Sequence, residues 1–171
     1  MSKFKKIFND WIIPILAAAL IAFLINKFVF FKIKVPTGSM LPTIQLQDNI
    51  IVTRIYNFDK LKRGDIIVFN STELKEPLVK RLIGLPGETV DVKDDGTVYV
   101  NGKQIDESYV KNKGGKSGHF EVPQGKYLFL GDNRPVSYDA RYWNNSYIPK
   151  KDIMGKARFV IFPFSRFGEL K

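Results

Sequence analysis

The chain of 171 residues and 19.6 kDa is long enough for one domain with a hydrophobic core, and its 44% hydrophobic content excludes a disordered chain. It has no cysteine and a single histidine, His119, which excludes disulfides, a thiolate nucleophile and multi-Cys or multi-His metal sites. Half of the net charge of +10 lies in residues 1–34, where six lysines and one aspartate give +5; this is more typical of a membrane flank than of a nucleic-acid-binding face. We therefore expect no metal, no cofactor and no nucleic-acid partner.

The first predicted element is an apolar helix over residues 11–31. Residues 11–25 carry no charge, and the apolar run resumes after Asn26 and Lys27. The whole stretch matches the ~20 residues that a helix needs to cross the hydrocarbon core of a membrane. We predict an uncleaved transmembrane anchor.

Two other interpretations of this segment have less support. In a cleavable signal peptide, Lys3, Lys5 and Lys6 would form the basic region, but the residues after the alanines at 17–19 make a poor cleavage site. A buried core helix would need a polar face, which the segment lacks. The residues leave orientation open, because three lysines precede the span and three lie at or just after its far end.

Beyond residue 34, short β-branched and aromatic runs alternate with turn signals, which predicts β-strands. Asp95-Gly96 and Asn101-Gly102 are typical hairpin turns, and the polar, glycine-rich stretch 111–118 suggests a mobile loop. We predict a mostly β fold: an antiparallel β domain, as a partly closed barrel or a sandwich, with a small β insertion near residues 93–120. The predicted strands are 49–56, 66–69, 78–85, 89–92, 97–100, 127–130 and 157–162.

Two clusters in this region carry groups suited to chemistry. The first, PTGSMLPT at 36–43, follows the apolar span, and its Gly38 permits a tight turn that exposes the Ser39 hydroxyl. The second, LVKRLIGLPGE at 78–88, is an apolar strand in which Lys80 and Arg81 point to opposite faces, so that one of them points inward or into a groove. A lysine in apolar surroundings loses its proton more easily, because burial disfavours the charged form.

A third cluster, GDNRPVSYDARYW at 131–143, is a polar loop after a strand, and its Asp139 and Arg141 are placed to form an ion pair that braces the loop. Taken one at a time, the three clusters also have purely structural interpretations. These are a linker, an edge strand whose charges prevent aggregation, and a structural loop.

In order and type, the three clusters after an apolar span resemble the bacterial type I signal peptidases, the membrane-bound Ser/Lys endopeptidases that remove signal peptides. The segments QDNIIVTR and RGDIIVF fit as well, so the resemblance covers essentially the whole chain. It implies an antiparallel β catalytic domain with a variable β insertion between the lysine and the third cluster. Only 50 residues separate Lys80 from Gly131, so the insertion should be small. The departures, Pro135-Val136 and Asn144, match no catalytic position.

The resemblance implies a role for each motif residue. Ser39 matches the nucleophile and Lys80 the general base, while the Ser39 N–H and the Thr37 hydroxyl match the oxyanion donors. Ser137 matches the hydroxyl that orients the lysine amine. Asp139 and Arg141 match a pair that supports the third cluster. The resemblance also implies shallow apolar pockets that take alanine-sized side chains at −1 and −3 of the substrate. Their lining would come from Val35, Met40, Ile44, Leu78 and Val79.

The resemblance also implies a single-pass plasma-membrane protein. Residues 1–10 would be cytoplasmic, 11–31 would span the membrane, and 32–171 would form the catalytic domain on the outer face. The expected partners are the signal peptides of exported pre-proteins and membrane lipid, and the oligomeric state stays open. Part of the aromatic run 159–164, otherwise expected in the core, is suited to touch lipid.

Other functions are less well supported. A catalytically inactive paralogue that binds pre-proteins would not need both Ser39 and Lys80, and a self-cleaving repressor would carry a DNA-binding helical domain. A specialised Ser/Lys processing peptidase stays open. His119 is interpreted as a surface or loop histidine without a catalytic role.

Overall fold

The computed structural model describes residues 6–170, so Lys3, Lys5 and the rest of residues 1–5 of the predicted N-terminal segment lie outside the described residues. The chain divides into two compact units, Met1–Phe31 and Lys32–Lys171.

The first unit contains a helix, Phe8–Phe28, that is long and apolar enough to cross a membrane, and none of its side chains is buried. Its first residues, Phe8–Ile12, are π-helical, and α1 (Ile13–Phe28) is α-helical. The apolar segment predicted from the sequence ran on to residue 31, but the helix ends at Phe28, and Phe30 and Phe31 begin a strand. Aromatic and β-branched residues dominate this stretch, and such residues favour extended backbone.

The rest of the described chain is mostly antiparallel β, as predicted. Its strands in chain order are β1 (Phe30–Lys34), β2 (Asn49–Arg54), β3 (Ile66–Ser71), β4 (Glu76–Gly84), β5 (Thr89–Val92), β6 (Val98–Val100), β7 (Lys103–Gln104), β8 (Gly118–Glu121), β9 (Lys126–Leu130), β10 (Tyr147–Pro149), β11 (Ile153–Phe162) and β12 (Gly168–Glu169). The larger sheet has the order β1-β2-β11-β3-β4-β9-β10, with β12 paired to β11.

The predicted β insertion is a separate sheet with the order β7-β6-β5-β8. Both predicted hairpin turns are present, because β5 pairs with β6 around residues 93–97 and β6 pairs with β7 across residues 101–102. Asn101 and Gly102 have φ of 51° and 75°, the left-handed conformation that this kind of turn requires. The insertion begins at β5, slightly earlier than predicted, and closes with β8.

The core lies where β3, β4 and β9 adjoin. Phe69 stacks on Phe129 at 4.5 Å between ring centroids, and the edge of Trp143 packs on Phe69 at 6.0 Å. Residues 79–84 of β4 are all buried, so both faces of this strand are covered. The aromatic run 159–164 does not belong to the core as a whole, since Val160 is buried whereas the phenylalanines at 159, 162 and 164 are exposed.

Candidate active site

The first motif forms a compact turn between β1 and β2. The Leu41 N–H donates to the Gly38 carbonyl at 3.2 Å, and the Ile44 N–H donates to the Met40 carbonyl at 2.9 Å. A side chain at Gly38 would press on Leu41 at 3.0 Å, so glycine suits the tight turn. The turn leaves the Ser39 side chain at the edge of the core, where the residue is 8% exposed.

Lys80 lies in the middle of β4 and reaches this serine. Its Nζ is 2.6 Å from the Ser39 Oγ, although the two residues are far apart in the sequence. Burial lowers the pKa of Lys80 to about 8, even though nearby Asp139, Asp132 and Glu76 act in the opposite direction. The edge-strand interpretation fails from Arg81 onward, where β4 pairs with both β3 and β9, and both basic side chains of the motif are buried rather than exposed.

Thr37 stands beside the same hydroxyl. Its Oγ1 is 3.4 Å from the Ser39 Oγ. The structure therefore brings Thr37, Ser39 and Lys80 together around one atom.

The third motif supports the turn that carries Ser39. The Asn133 N–H donates to the Ser39 carbonyl at 3.0 Å, and its side-chain Nδ2 donates to the Gly38 carbonyl at 3.1 Å. Both bonds hold the backbone that carries the serine. The sequence reasoning did not single out Asn133, which stands in the third motif next to a glycine-aspartate pair.

Arg81 and Asp132 form a buried ion pair on the other face of β4. The Arg81 Nε and Nη2 donate to the two carboxylate oxygens of Asp132 at 2.8 and 2.6 Å, and the Thr43 hydroxyl also donates to this carboxylate, at 2.5 Å. Asp132 and Thr43 were also missed from the sequence. Strand alternation was a usable signal for Asp132, because an inward-facing Arg81 requires a carboxylate partner.

Asp139 and Arg141 form the predicted ion pair, with Arg141 Nε and Nη2 donating to the carboxylate at 2.8 and 2.9 Å. Both side chains are fully buried. The carboxylate also accepts the Gly131 N–H at 2.9 Å, so the pair braces the start of the third motif.

Ser137 is buried next to the site, and its Oγ has no hydrogen-bond partner among the described residues. It packs tightly on Gly131. A Cβ at position 131 would lie 2.1 Å from the Ser137 Oγ and 2.5 Å from the Ser39 carbonyl oxygen. This close packing brings Ser137 and the Ser39 carbonyl against a residue that has no room for a side chain.

A cleft of about 390 Å³ runs beside Lys80, lined by residues 33–37 and 76–80 and by Val68. Of the predicted pocket residues, Val35, Leu78 and Val79 line this cleft, whereas Met40 and Ile44 are fully buried and are not part of its lining. A larger cavity of about 620 Å³ lies in the insertion and is lined by none of the predicted site residues.

His119 lies away from these groups, on β8, with its side chain 60% exposed. Its Nδ1 is 2.7 Å from an Asp91 carboxylate oxygen, and this hydrogen bond raises the pKa of His119. Within residues 6–170 no group of three or more His, Cys, Asp or Glu side chains is arranged to hold a metal ion.

The sequence and the fold both match known proteins. Residues 8–162 match the family model described as signal peptidase, peptidase S26. Signal peptidase I of Leptolyngbya laminosa is 42% identical over 85% of this chain and 75% of its own length, and signal peptidase I T of Bacillus subtilis is 41% identical over 95% and 89%. A crystal structure of a signal peptidase I from Enterococcus faecalis, 37% identical, superposes on 57% of this chain and 96% of its own with a TM-score of 0.50. The chain therefore belongs to the signal peptidases of the S26 peptidase family.

Proposed function

We propose that this chain is a membrane-bound serine endopeptidase that removes signal peptides from exported pre-proteins, with Ser39 as nucleophile and Lys80 as general base. One observation carries the assignment: the 2.6 Å approach of the Lys80 Nζ to the Ser39 Oγ, inside a buried environment that lowers the lysine pKa to about 8. A serine hydroxyl needs a base within hydrogen-bond reach, and a neutral amine is such a base.

In the reaction, neutral Lys80 takes the Ser39 proton as the Oγ attacks the scissile carbonyl carbon. The protonated amine then gives this proton to the leaving amino group as the peptide bond breaks. Water attacks the resulting ester with Lys80 again as the base, and Ser39 is restored. The Ser39 proton thus leaves with the amine product, and the proton that Lys80 takes from water goes to the Ser39 Oγ as the ester bond breaks and the acid product leaves.

The negative oxygen of the tetrahedral intermediate needs hydrogen-bond donors. The Ser39 N–H and the Thr37 hydroxyl supply them, and the position of the Thr37 Oγ1 3.4 Å from the Ser39 Oγ supports this role. Such donors act mainly on the transition state, and removal of one typically costs ~10²–10³ in rate.

The substrate lies extended in the 390 Å³ cleft. Pairing between β4 and β9 begins only at Arg81, so the preceding residues of β4 pair with β3 alone and leave an edge to which a peptide can add as a strand. Val35, Leu78 and Val79 give apolar walls, and Met40 and Ile44, which belong to the turn that carries Ser39, are fully buried. Small side chains at −1 and −3 are expected to pack against these walls.

The helix anchors the enzyme in the plasma membrane as a single span. The residues before the helix lie in the cytoplasm, Phe8–Phe28 spans the bilayer, and the β domain that follows is the catalytic domain on the outer face. Membrane association is supported by the length and composition of Phe8–Phe28. Lipid and the signal peptides of pre-proteins are the partners.

Cleavage of a model pre-protein by the full chain in detergent, with the cut site read by mass spectrometry, tests the assignment. We expect wild type to cut after a small residue and Ser39→Ala to be inactive. Ser165→Ala, an exposed serine elsewhere in the chain, is the matched control and should cut normally. An inactive wild type would favour the alternative of a binding paralogue, and a cut at another kind of site would favour a specialised processing peptidase.

A further inference from the structure

The loop between β7 and β8 approaches the third motif closely, and residues 107–115 of this loop are called the clasp below. We propose that the clasp sets the direction of the Ser39 N–H, with Asn112 as a positioning residue that acts through Asn133. The proposal rests on the proposed function, because it concerns one of the oxyanion donors assigned there.

Three residues of the clasp form polar contacts with the third motif. The Glu107 carboxylate pairs with Arg134 at 3.0 and 2.5 Å, and Arg134 in turn donates its Nε to the Gly131 carbonyl at 3.0 Å. The Asn112 Nδ2 donates to the Asn133 Oδ1 at 3.1 Å. The Gly114 carbonyl accepts from Arg141 at 3.1 Å.

These contacts are close and partly buried, and Asn112 itself is exposed. The side chains of Glu107 and Arg134 are 8% and 0% exposed. A Cβ at Gly115 would lie 2.5 Å from Arg141 Nη1 and 2.8 Å from the Arg134 carbonyl oxygen. The predicted mobile loop 111–118 therefore includes a portion packed against the catalytic motif.

The geometry of one peptide unit links this packing to the reaction. The Gly38 carbonyl and the Ser39 N–H belong to the same planar peptide and point in opposite directions. Asn133 holds the Gly38 carbonyl with its Nδ2 at 3.1 Å and the Ser39 carbonyl with its N–H at 3.0 Å. Fixing the Gly38 carbonyl on one side therefore fixes the direction of the Ser39 N–H on the other.

Asn112 sets the orientation of the Asn133 amide. A carbonyl only accepts hydrogen bonds, so the Gly38 oxygen requires the Nδ2 of Asn133, and the Oδ1 of Asn133 must then face Asn112. Asn112 satisfies this oxygen because it presents its own Nδ2. A group that only accepts at position 112 would attract the Nδ2 of Asn133 instead and turn it away from Gly38.

Two substitutions at position 112 should therefore differ in their effect on kcat, which loss of a packing contact alone would not produce. Asn112→Ala removes one hydrogen bond and leaves the Asn133 amide free to keep its direction, so we expect kcat to fall about three- to tenfold. Asn112→Asp is nearly isosteric but only accepts, so kcat should fall further, toward the ~10²-fold cost of losing an oxyanion donor. In both variants KM should stay within about twofold of wild type, because the oxyanion forms only in the transition state.

The experiment measures kcat and KM of the full chain in detergent with a signal-peptide substrate, at a pH above the Lys80 titration. Lys111→Ala, the exposed neighbour of Asn112, is the control and should match wild type. A peptide aldehyde, which forms a tetrahedral adduct with the serine, should bind Asn112→Asp more weakly in proportion to the loss in kcat/KM. The melting temperature of each variant checks that the fold is retained.

The proposal is overturned if Asn112→Asp is as active as Asn112→Ala or more active, if the loss appears in KM alone, or if Lys111→Ala loses as much. Ser39→Ala distinguishes a failure of the positioning role of Asn112 from a failure of the nucleophile assignment. If Ser39→Ala is inactive while both Asn112 variants match wild type, the positioning role alone fails. If Ser39→Ala still cuts, the assignment of the nucleophile fails.

Discussion

Arg81 and Asp132 form a two-point ion pair at 2.8 and 2.6 Å, with side chains only 2% and 0% exposed. Arg81 follows Lys80 directly in β4, so the pair lies on the face of the strand opposite the proposed base. A single strand thus carries the amine on one side and, on the other, the contact that attaches the third motif to the sheet.

Asp132→Asn should destabilise the fold more than an average surface substitution. The change leaves the Arg81 guanidinium buried without its counter-charge, and breaking a buried pair in this way typically costs about 3–5 kcal/mol. Thermal unfolding in detergent measures the effect, with Asp94→Asn, an exposed aspartate in the β5–β6 turn, as the control. Equal melting temperatures for the two variants would show that the pair does not hold the third motif in place.

The activity should rise with pH through the lowered pKa of Lys80, at about 8. Only the neutral amine accepts the serine proton, and with this pKa about a tenth of the enzyme is neutral at pH 7, far more than for a free lysine. A pH profile of kcat/KM between about pH 6 and about pH 10 tests this, because the range brackets the lowered pKa of about 8 and ends below the ordinary value of 10.5. A flat profile under conditions where chemistry limits the rate would exclude a titrating lysine base.

Lys80→Met should abolish cleavage and leave the protein as stable as wild type, or more stable, at neutral pH. The folded-state pKa of Lys80 is depressed from 10.5 to about 8, so below about 8 the fold must bury a protonated amine at a cost of about 3 kcal/mol. This penalty fades as the pH rises from about 8 toward 10.5 and is absent above the unfolded value. Unfolding of both proteins at pH 7 and pH 10 checks the sign, since any advantage of the methionine variant should shrink at the higher pH. A methionine variant clearly less stable than wild type at pH 7 would contradict the argument.

Gly131→Ala should cause a severe loss of activity. The added Cβ would lie 2.1 Å from the Ser137 Oγ and 2.5 Å from the Ser39 carbonyl oxygen, so either the serine turn or the third motif must move. Displacement of a reacting group by about 1 Å is enough to cost ~10² in rate. Gly168→Ala is the matched control, because its nearest neighbour would be 4.0 Å away. The test compares the kcat values of the two variants. Similar values would mean that the site adapts to the extra methyl group.

Much of the fold followed from local pattern. All seven predicted strands are present, and the insertion sheet follows the two predicted turns, whose glycines have positive φ. The strands that were missed are β1, β7, β8, β10 and β12. They are short, polar or, for β1, continuous with the apolar helix, so their pairing depends on neighbours that come from elsewhere in the chain.

The sequence predicted only part of the site. The pairing of Asp139 with Arg141 follows from their spacing, but Asn133 and Thr43 acquire their contacts only when distant segments meet. The contacts of the clasp could not be predicted for the same reason, since a polar, glycine-rich stretch gives no sign that it will pack on the third motif. Residues whose partners lie far away in sequence have no periodic signal to reveal them.

The covering of β4 on both faces has a consequence for how the chain reaches its working form. Residues 79–84 of this strand are all buried, so inside–outside alternation does little to fix its alignment with β3, where Ile66 faces Arg81 and Ile67 faces Lys80. A slip by one residue would turn each basic side chain to the other face of the strand. In the slip that brings Arg81 to the place of Lys80, the guanidinium would stand at the serine, where it cannot lose its proton, and Asp132 would lose its two-point partner. The Arg81–Asp132 pair therefore helps to fix the strand alignment, because it favours the one hairpin register in which Lys80, the proposed base, reaches Ser39.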